Sequence, residues 1–161
     1  HRGVIMIFIS HRGNINNIDK SRENTHDYID EAIKQGYEVE IDIWRVKGNL
    51  FLGHDNPVTP VKLDWLAERK DKLWIHTKNR EAFEFMTLID CGFKFFWLTF
   101  EPYIFTSNKK IWAHDFQSIE NESLCIVPLL SLKSVILADV RNWYAICTDF
   151  PKQCKEKWES K

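Results

Sequence analysis

Hydrophobic and polar residues follow two periods along the first half of the chain, one typical of strands and one typical of helices. An apolar run predicts a strand at residues 4–9. Strict alternation between polar and apolar residues predicts a second strand at residues 37–44. The apolar spacing between them predicts a helix that begins with Asn24 as its N-cap and ends near Gln35. The pattern continues with a short strand at 50–52, a short helix at 63–70, a strand at 73–78 and a helix at 80–90.

The second half of the chain differs because short aromatic and β-branched runs follow one another with few helical segments. Only residues 132–140 show weak helical spacing there. The predicted strands of this half lie at residues 93–98, 103–105, 111–113, 124–127 and 143–147. We therefore expect short connections in place of the helices of the first half.

Strand, helix and strand alternate in the first half, which predicts an α/β fold with a mainly parallel sheet covered by helices. The number of predicted strands approaches the ~8 of a complete (β/α)8 barrel, but such a barrel has about 250 residues. This chain has 161 residues. We therefore predict a reduced TIM-type (β/α) barrel, a single domain over residues 1–161, with several helices missing in the second half. An open α/β sheet with irregular edge strands is the alternative.

Composition narrows the possible partners. The chain is 44% hydrophobic and 14% aromatic, which suits a packed core, and its formal net charge is -1. Without a strongly basic surface we expect no nucleic-acid partner, and the apolar run at 4–9 is too short for stable membrane insertion. The four cysteines form no Cys-x-x-Cys pair, so we expect reduced thiols in a cytoplasmic protein.

Residues capable of chemistry collect where the predicted strands end, the place where α/β barrels and open α/β sheets have their active sites. They are His11 and Arg12, Glu40 and Asp42, His54 and Asp55, and His76 and Lys78. Glu40 and Asp42 share one strand face, and such a pair of like charges is costly unless a cation lies between them. Alternatively, Glu40 and Asp42 are surface residues on a half-exposed antiparallel strand. The apolar residues that alternate with them need a core, which makes this alternative less favourable.

A divalent metal at Glu40 and Asp42 would complete a phosphodiester-cleaving site. His11 and His54 could then act as general base and general acid on opposite sides of a phosphate. Four further residues would support this site. They are Arg12 and Lys78 as cations for the phosphate, Glu23 as a residue that orients Arg12 or a histidine, and Asp55 as a partner of His54. His114 follows a predicted strand and is a further candidate for the pocket.

Four ordered segments resemble the N-terminal pattern of the glycerophosphodiester phosphodiesterase family. They are His11-Arg12-Gly13, Glu23-Asn24-Thr25, Glu40-x-Asp42 and Gly53-His54-Asp55-x-Pro57, and residues 147–151 resemble that family's closing Thr-Asp-aromatic-Pro segment. The resemblance implies a TIM barrel, a divalent cation held by carboxylates, usually Ca²⁺ or Mg²⁺, and two histidines as acid and base. On that pattern His11 and His54 are catalytic, Glu40 and Asp42 bind the metal, and Arg12 contacts the phosphate.

The chain departs from that pattern in its third strand and in the loop after His54. The family has a Glu-x-Lys segment where this chain has His76 and Lys78, so either His76 replaces the metal ligand or the metal site is weakened. A nitrogen ligand shifts the metal preference toward Mg²⁺, Mn²⁺ or Zn²⁺. The insertion that usually follows the second histidine is nearly absent, so we expect an open pocket.

The predicted function is metal-dependent hydrolysis of a small phosphodiester, of glycerophosphodiester type, to a phosphomonoester and an alcohol. One alternative is a lyase that forms a cyclic phosphate with the same residues. The other is a catalytically degenerate barrel that binds phosphorylated sugars or lipids without turnover.

Overall fold

The chain folds around a ten-stranded, mostly parallel sheet. A computed structural model describes residues 6–89, 91–97 and 100–160, so residues 4, 5, 90 and 98 of the predicted elements lie outside the described residues. The strands are β1 (Ile7–His11), β2 (Glu38–Val46), β3 (Asn49–Leu52), β4 (Thr59–Val61), β5 (Leu73–Thr77), β6 (Lys94–Trp97), β7 (Tyr103–Phe105), β8 (Ile111–Ala113), β9 (Cys125–Pro128) and β10 (Ala145–Thr148). The helices are α1 (His26–Lys34), α2 (Leu63–Glu68), α3 (Arg80–Ile89), α4 (Leu132–Leu137) and α5 (Pro151–Glu159).

Parallel pairing brings most strand ends to one side of the molecule. The neighbouring strands β6-β5-β2-β1-β10-β9-β8 are parallel throughout, so their carboxyl ends meet at one mouth. The hairpin of β3 and β4 adds to β2 in antiparallel fashion, and β7 pairs with β8 in antiparallel fashion. The fold is therefore the predicted α/β type with a mainly parallel sheet, and a hairpin extends the sheet from β2.

The sheet is not closed into a complete barrel. Among the described residues no strand pairing joins β6 to β7 or β8. A serine bridges this gap instead: the backbone N–H of Ser107 donates to Phe95 O (2.9 Å), and the backbone N–H of Phe95 donates to Ser107 Oγ (2.9 Å). One turn after β7 thus satisfies backbone groups that a further parallel strand would pair.

The second half has lost helices, as predicted. Within the described residues between β6 and β9, the helical turns are two short 3-10 segments, Phe116–Ser118 and Glu122–Leu124. The terminal helix α5 is an addition that hydrophobic spacing did not indicate, because Cys154 and Trp158 are its buried residues after Pro151 at its start. None of the helices described is long and apolar enough to cross a membrane.

The barrel interior is filled mainly by aromatic and aliphatic side chains. This cluster contains Ile9, Trp74, Phe96, Ile104, Trp112, Ile126, Ala145 and Cys147. Below the mouth, Glu38 accepts hydrogen bonds from Trp74 Nε1 (2.8 Å) and Lys94 Nζ (2.8 Å). The acidic face of β2 is therefore inside the barrel, and the pair Glu40 and Asp42 lies nearer the mouth than Glu38.

Candidate active site

A cavity of about 150 Å³ opens at the carboxyl ends of the parallel strands. Its lining includes His11, Arg12, Glu40, Asp42, His54 and His76. The chain brings these residues together because β1, β2 and β5 are neighbours in the sheet and the β3–β4 hairpin folds back over β2. Residues predicted separately from strand ends thus share one site.

Strand register places the two buried carboxylates beside an imidazole. Asp42 on β2 pairs directly with His76 on β5, and His76 Nδ1 lies 2.9 Å from Asp42 Oδ1 and 3.8 Å from Glu40 Oε2. One ligand atom from each of the three residues lies within 4.8 Å of the others, and all three residues are buried. This Glu40–Asp42–His76 cluster has the donor types of a divalent metal site.

The electrostatics of this cluster favour a bound cation. Burial, and then the charge of Asp42, raises the pKa of Glu40 well above its ordinary value despite the nearby Arg12 and Lys78. Burial also opposes ionisation of Asp42, but the adjacent His76 imidazole and a hydrogen bond from Asn24 outweigh it and lower the pKa of Asp42 to about 2. Burial lowers the pKa of His76. A neutral imidazole beside two carboxyl groups suits metal ligation.

Two oxygens of the cluster have unused bonding capacity. Glu40 Oε1 and Asp42 Oδ1 are buried without a hydrogen-bond partner among the described residues. Leaving a buried carboxylate oxygen unpaired is costly. A divalent cation would satisfy both oxygens, so the residues present fit such an ion.

Asn24 holds Asp42 in place from the loop before α1. Its side-chain amide donates to Asp42 Oδ2 (2.9 Å), and its side-chain oxygen accepts from the Asp42 backbone N–H (3.0 Å). The residue lies at φ 56°, a left-handed conformation that asparagine tolerates. The predicted N-cap role of Asn24 is wrong: Thr25 takes that position, without a side-chain cap, because the Asn24 amide is used by Asp42.

The imidazole of His11 is oriented by a residue from the other end of the chain. His11 Nδ1 lies 2.8 Å from Asp149 Oδ1, just beyond β10. His11 Nε2 then faces Glu40 across the cavity, 3.8 Å from its Oε1. No role was predicted for Asp149, although it lies in the closing segment that resembles the phosphodiesterase family.

A buried asparagine joins this pair to the arginine of the site. Asn14 is fully buried, and its amide donates to Asp149 Oδ1 (2.8 Å) and to Glu23 Oε2 (2.7 Å). Glu23 Oε1 accepts from Arg12 Nη1 (3.3 Å), and Arg12 Nε lies 3.4 Å from Asp42 Oδ2. Glu23 therefore contacts Arg12, the residue that it was predicted to orient. No sequence signal marked Asn14.

The glycine after Arg12 is required by close packing. Gly13 has φ 98°, and a Cβ atom at this position would lie 2.7 Å from Tyr28 Cδ2. Tyr28 in turn donates from its hydroxyl to Asn14 Oδ1 (3.0 Å). Gly13 thus lets α1 pack against the loop that carries the site network.

His54 reaches the cavity from the loop after β3. The loop is held by Gly53, whose N–H donates to Asp42 O (3.2 Å) and whose carbonyl accepts from Trp44 Nε1 (2.7 Å). His54 Nδ1 lies 2.8 Å from Asp55 Oδ1, but the His54 side chain is 41% exposed and that of Asp55 86% exposed. His54 is therefore placed at the solvent side of the cavity.

The remaining predicted residues lie at the strand ends. Lys78 follows β5 and is half-buried. Its charge opposes the rise in the pKa of Glu40 and adds to the fall in the pKa of His76. His114 lines the cavity beyond β8. The ring of His76 stacks on Phe96 (centroids 5.2 Å apart), and Phe96 stacks on Trp112 (4.6 Å). This aromatic stack fixes the plane of the His76 ring.

Comparisons with known proteins show the fold. No family model matches the chain, and no curated protein sequence matches it. The structure is similar to that of a glycerophosphodiester phosphodiesterase from Agrobacterium tumefaciens, with a TM-score of 0.61 over 94% of this chain and 100% of that one. The two chains are 15% identical, so the similarity establishes a reduced barrel of the same type.

Proposed function

We propose that this chain is a metal-dependent phosphodiesterase that hydrolyses a small phosphodiester to a phosphomonoester and an alcohol. The observation that carries the proposal is the placement of His11 and His54 around one cavity with Arg12 and a buried carboxylate pair. Each histidine has its Nδ1 atom 2.8 Å from a carboxylate oxygen, of Asp149 and of Asp55 respectively. The similarity to a solved phosphodiesterase fold supports the same reaction class.

The histidines supply the proton transfers of the reaction. A carboxylate at Nδ1 fixes the proton on that nitrogen and leaves Nε2 to act on the substrate. One imidazole accepts the proton of the attacking water as its oxygen bonds to phosphorus. The other donates a proton to the alcohol oxygen as the bond between that oxygen and phosphorus breaks.

The charged residues of the cavity bind and polarise the phosphate. Glu40, Asp42 and His76 would hold the divalent cation, which when bound neutralises charge on the non-bridging oxygens. Arg12 presents a fixed cation, positioned by Glu23, and Lys78 adds a second positive charge near Glu40. Two hard carboxylate oxygens suit Mg²⁺ or Ca²⁺, and the His76 nitrogen makes Mn²⁺ and Zn²⁺ acceptable.

Activity assays of histidine variants test the proposal. His11→Ala and His54→Ala should each lower the turnover of bis(p-nitrophenyl) phosphate and of glycerophosphodiesters, with Mg²⁺, Ca²⁺ or Mn²⁺, by about 10²-fold or more. The matched control is His26→Ala, because His26 lies on α1 against Trp65 and does not line the cavity. Retained activity in either cavity variant would refute the assignment.

Product analysis separates the alternatives. Phosphorus NMR of the product should show a phosphomonoester. A cyclic diester would instead establish the lyase. Tight binding of phosphodiesters with no metal-dependent turnover would establish a barrel that binds without catalysis.

A further inference from the structure

Asn14 uses every hydrogen-bonding group that an asparagine side chain offers. It is fully buried in the loop after β1. Its Oδ1 atom accepts from the Tyr28 hydroxyl (3.0 Å) and from the Asp19 backbone N–H (3.1 Å). Its Nδ2 atom donates to Glu23 Oε2 (2.7 Å) and to Asp149 Oδ1 (2.8 Å). A primary amide has two N–H donors and two acceptor positions, so this side chain has no bonding capacity left for a substrate.

The partners of this amide allow only one orientation of it. The Asp19 backbone N–H can only donate and the two ionised carboxylates can only accept, so a reversed amide would lose three of its four hydrogen bonds. The backbone of Asn14 is held as well, because its N–H donates to His11 O (3.1 Å) and its carbonyl accepts from Ser10 Oγ (2.7 Å). The amide is therefore a fixed point between two carboxylates.

Each of these two carboxylates holds one charged or titratable group of the cavity. Asp149 Oδ1, the atom that Asn14 contacts, also lies 2.8 Å from His11 Nδ1. Glu23 contacts Asn14 through Oε2 and accepts from Arg12 Nη1 through Oε1 (3.3 Å). The side chains of Asp149 and Glu23 are 7% and 9% exposed, so water competes little for these contacts. One amide therefore connects the imidazole proposed for proton transfer with the guanidinium proposed for the phosphate.

We propose that Asn14 is a positioning residue that couples His11 to Arg12. The inference rests on the proposed phosphodiesterase function and adds a residue to the machinery of the same site. Asn14 does not line the cavity and acts through Asp149 and Glu23. A displacement of about 1 Å can cost about 10²-fold in rate. A shared anchor keeps the proton-transfer group and the phosphate-binding cation at one fixed separation.

Steady-state kinetics of Asn14→Leu with bis(p-nitrophenyl) phosphate test the coupling. Because a hydrogen bond to a charged group contributes about tenfold or more, we expect kcat to fall at least about tenfold. KM should rise at least about threefold, since Arg12 is released together with His11. A purely structural role would lower the amount of folded enzyme, and kcat with it, and would leave KM unchanged. Tyr28→Phe is the matched control, because it removes one hydrogen bond of the same amide and no carboxylate contact, and both constants should stay near those of the wild type.

A double-mutant cycle then locates the coupling in Asn14. Asp149→Asn and Glu23→Gln each disturb one end of the link. With Asn14 present, the loss of kcat/KM in the double variant should depart at least about threefold from the product of the two single losses. In the Asn14→Leu background, or in Asn14→Ser where the leucine variant does not fold, the two losses should multiply. Multiplication in both backgrounds, or an equal departure in both, would overturn the proposal.

The outcomes separate the two proposals. If the wild type turns over no phosphodiester with any divalent metal, the phosphodiesterase proposal fails and the link is measured without turnover. The side-chain nitrogen NMR shifts of His11 then report whether Glu23→Gln is felt across the site. A change of these shifts that disappears in the Asn14→Leu background supports the coupling. Unchanged shifts in Glu23→Gln, or changes of equal size with and without Asn14, would overturn it.

Discussion

The two histidine–carboxylate pairs of the site have the same contact distance and very different surroundings. Both Nδ1–carboxylate distances are 2.8 Å. The His11 and Asp149 side chains are 14% and 7% exposed, whereas those of His54 and Asp55 are 41% and 86% exposed. Asp149 also accepts a hydrogen bond from the buried Asn14. Equal distances therefore do not imply equal strength.

The difference assigns different tasks to the two carboxylates. A buried charge-assisted hydrogen bond fixes a ring firmly, because water does not compete for either partner. An exposed pair is screened by water and contributes about 0–1 kcal/mol. The His11 side is thus preorganised by the barrel, while His54 is positioned mainly by the hydrogen bonds of Gly53 in its loop.

The largest expected effect comes from changing the buried carboxylate. Asp149→Asn should lower kcat about 10²-fold or more, because an asparagine can donate to His11 Nδ1 and so favours the wrong tautomer. Asp55→Asn, the matched change in the exposed pair, should lower kcat at most about threefold. Steady-state kinetics with the same phosphodiester measure both effects.

A second readout distinguishes positioning from structural damage. Nitrogen NMR shifts of His11 should report a change of tautomer in Asp149→Asn while KM changes less than about threefold. Equal losses of kcat in Asp149→Asn and Asp55→Asn would contradict the contrast between the buried and exposed pairs.

An intermediate effect is expected from Asn24, the residue that holds Asp42, which we propose as a metal ligand. Asn24→Gly removes both hydrogen bonds to Asp42 and keeps a residue that accepts φ 56°. Partners of metal ligands typically contribute about 10–100-fold in affinity, so Mn²⁺ or Mg²⁺ affinity measured by calorimetry should fall by that factor. Asp55→Asn should leave metal affinity unchanged. Unaltered affinity in Asn24→Gly would place the metal elsewhere.

The smallest expected effect is on stability and again separates the two sides. Asn14→Leu leaves Glu23, Asp149 and Tyr28 each without one hydrogen-bond partner, so the free energy of unfolding in urea should fall by about 1–3 kcal/mol. Asn56→Leu, on the exposed loop near His54, should stay within about 0.5 kcal/mol of the wild type. Equal losses in the two variants would show that the His11 side is not the more constrained one.

Much of the architecture followed from local patterns. The alternation over residues 37–44 predicted that the acidic residues of β2 share one strand face, and the fold turns that face into the barrel. The strands at 103–105 and 111–113 have the predicted bounds. The strand β4 escaped prediction because it is three residues long and contains Pro60. Helix α5 escaped because Lys, Glu and Gln surround its few buried residues.

The site was predictable as a set of residue types and much less as a set of contacts. Order and spacing brought His11, Glu40, Asp42 and His54 forward as candidates, and the fold places all four around one cavity. Asn14 carried no signal, and Asn24, although it lies in the Glu23-Asn24-Thr25 segment, was predicted as a helix cap, which is what a loop asparagine usually indicates. Their functions appear once the loop is packed against β2 and β10.

The sequence by itself determined which residues could do chemistry and on which face of a strand they lie, because side-chain direction follows the local period of two. Tertiary structure decided which of them meet. The register of β2 against β5 sets Asp42 beside His76, and the pairing of β1 with β10 brings Asp149 to His11 from 138 residues away. Both depend on how the sheet curls around its core, and local periodicity carries no information about that.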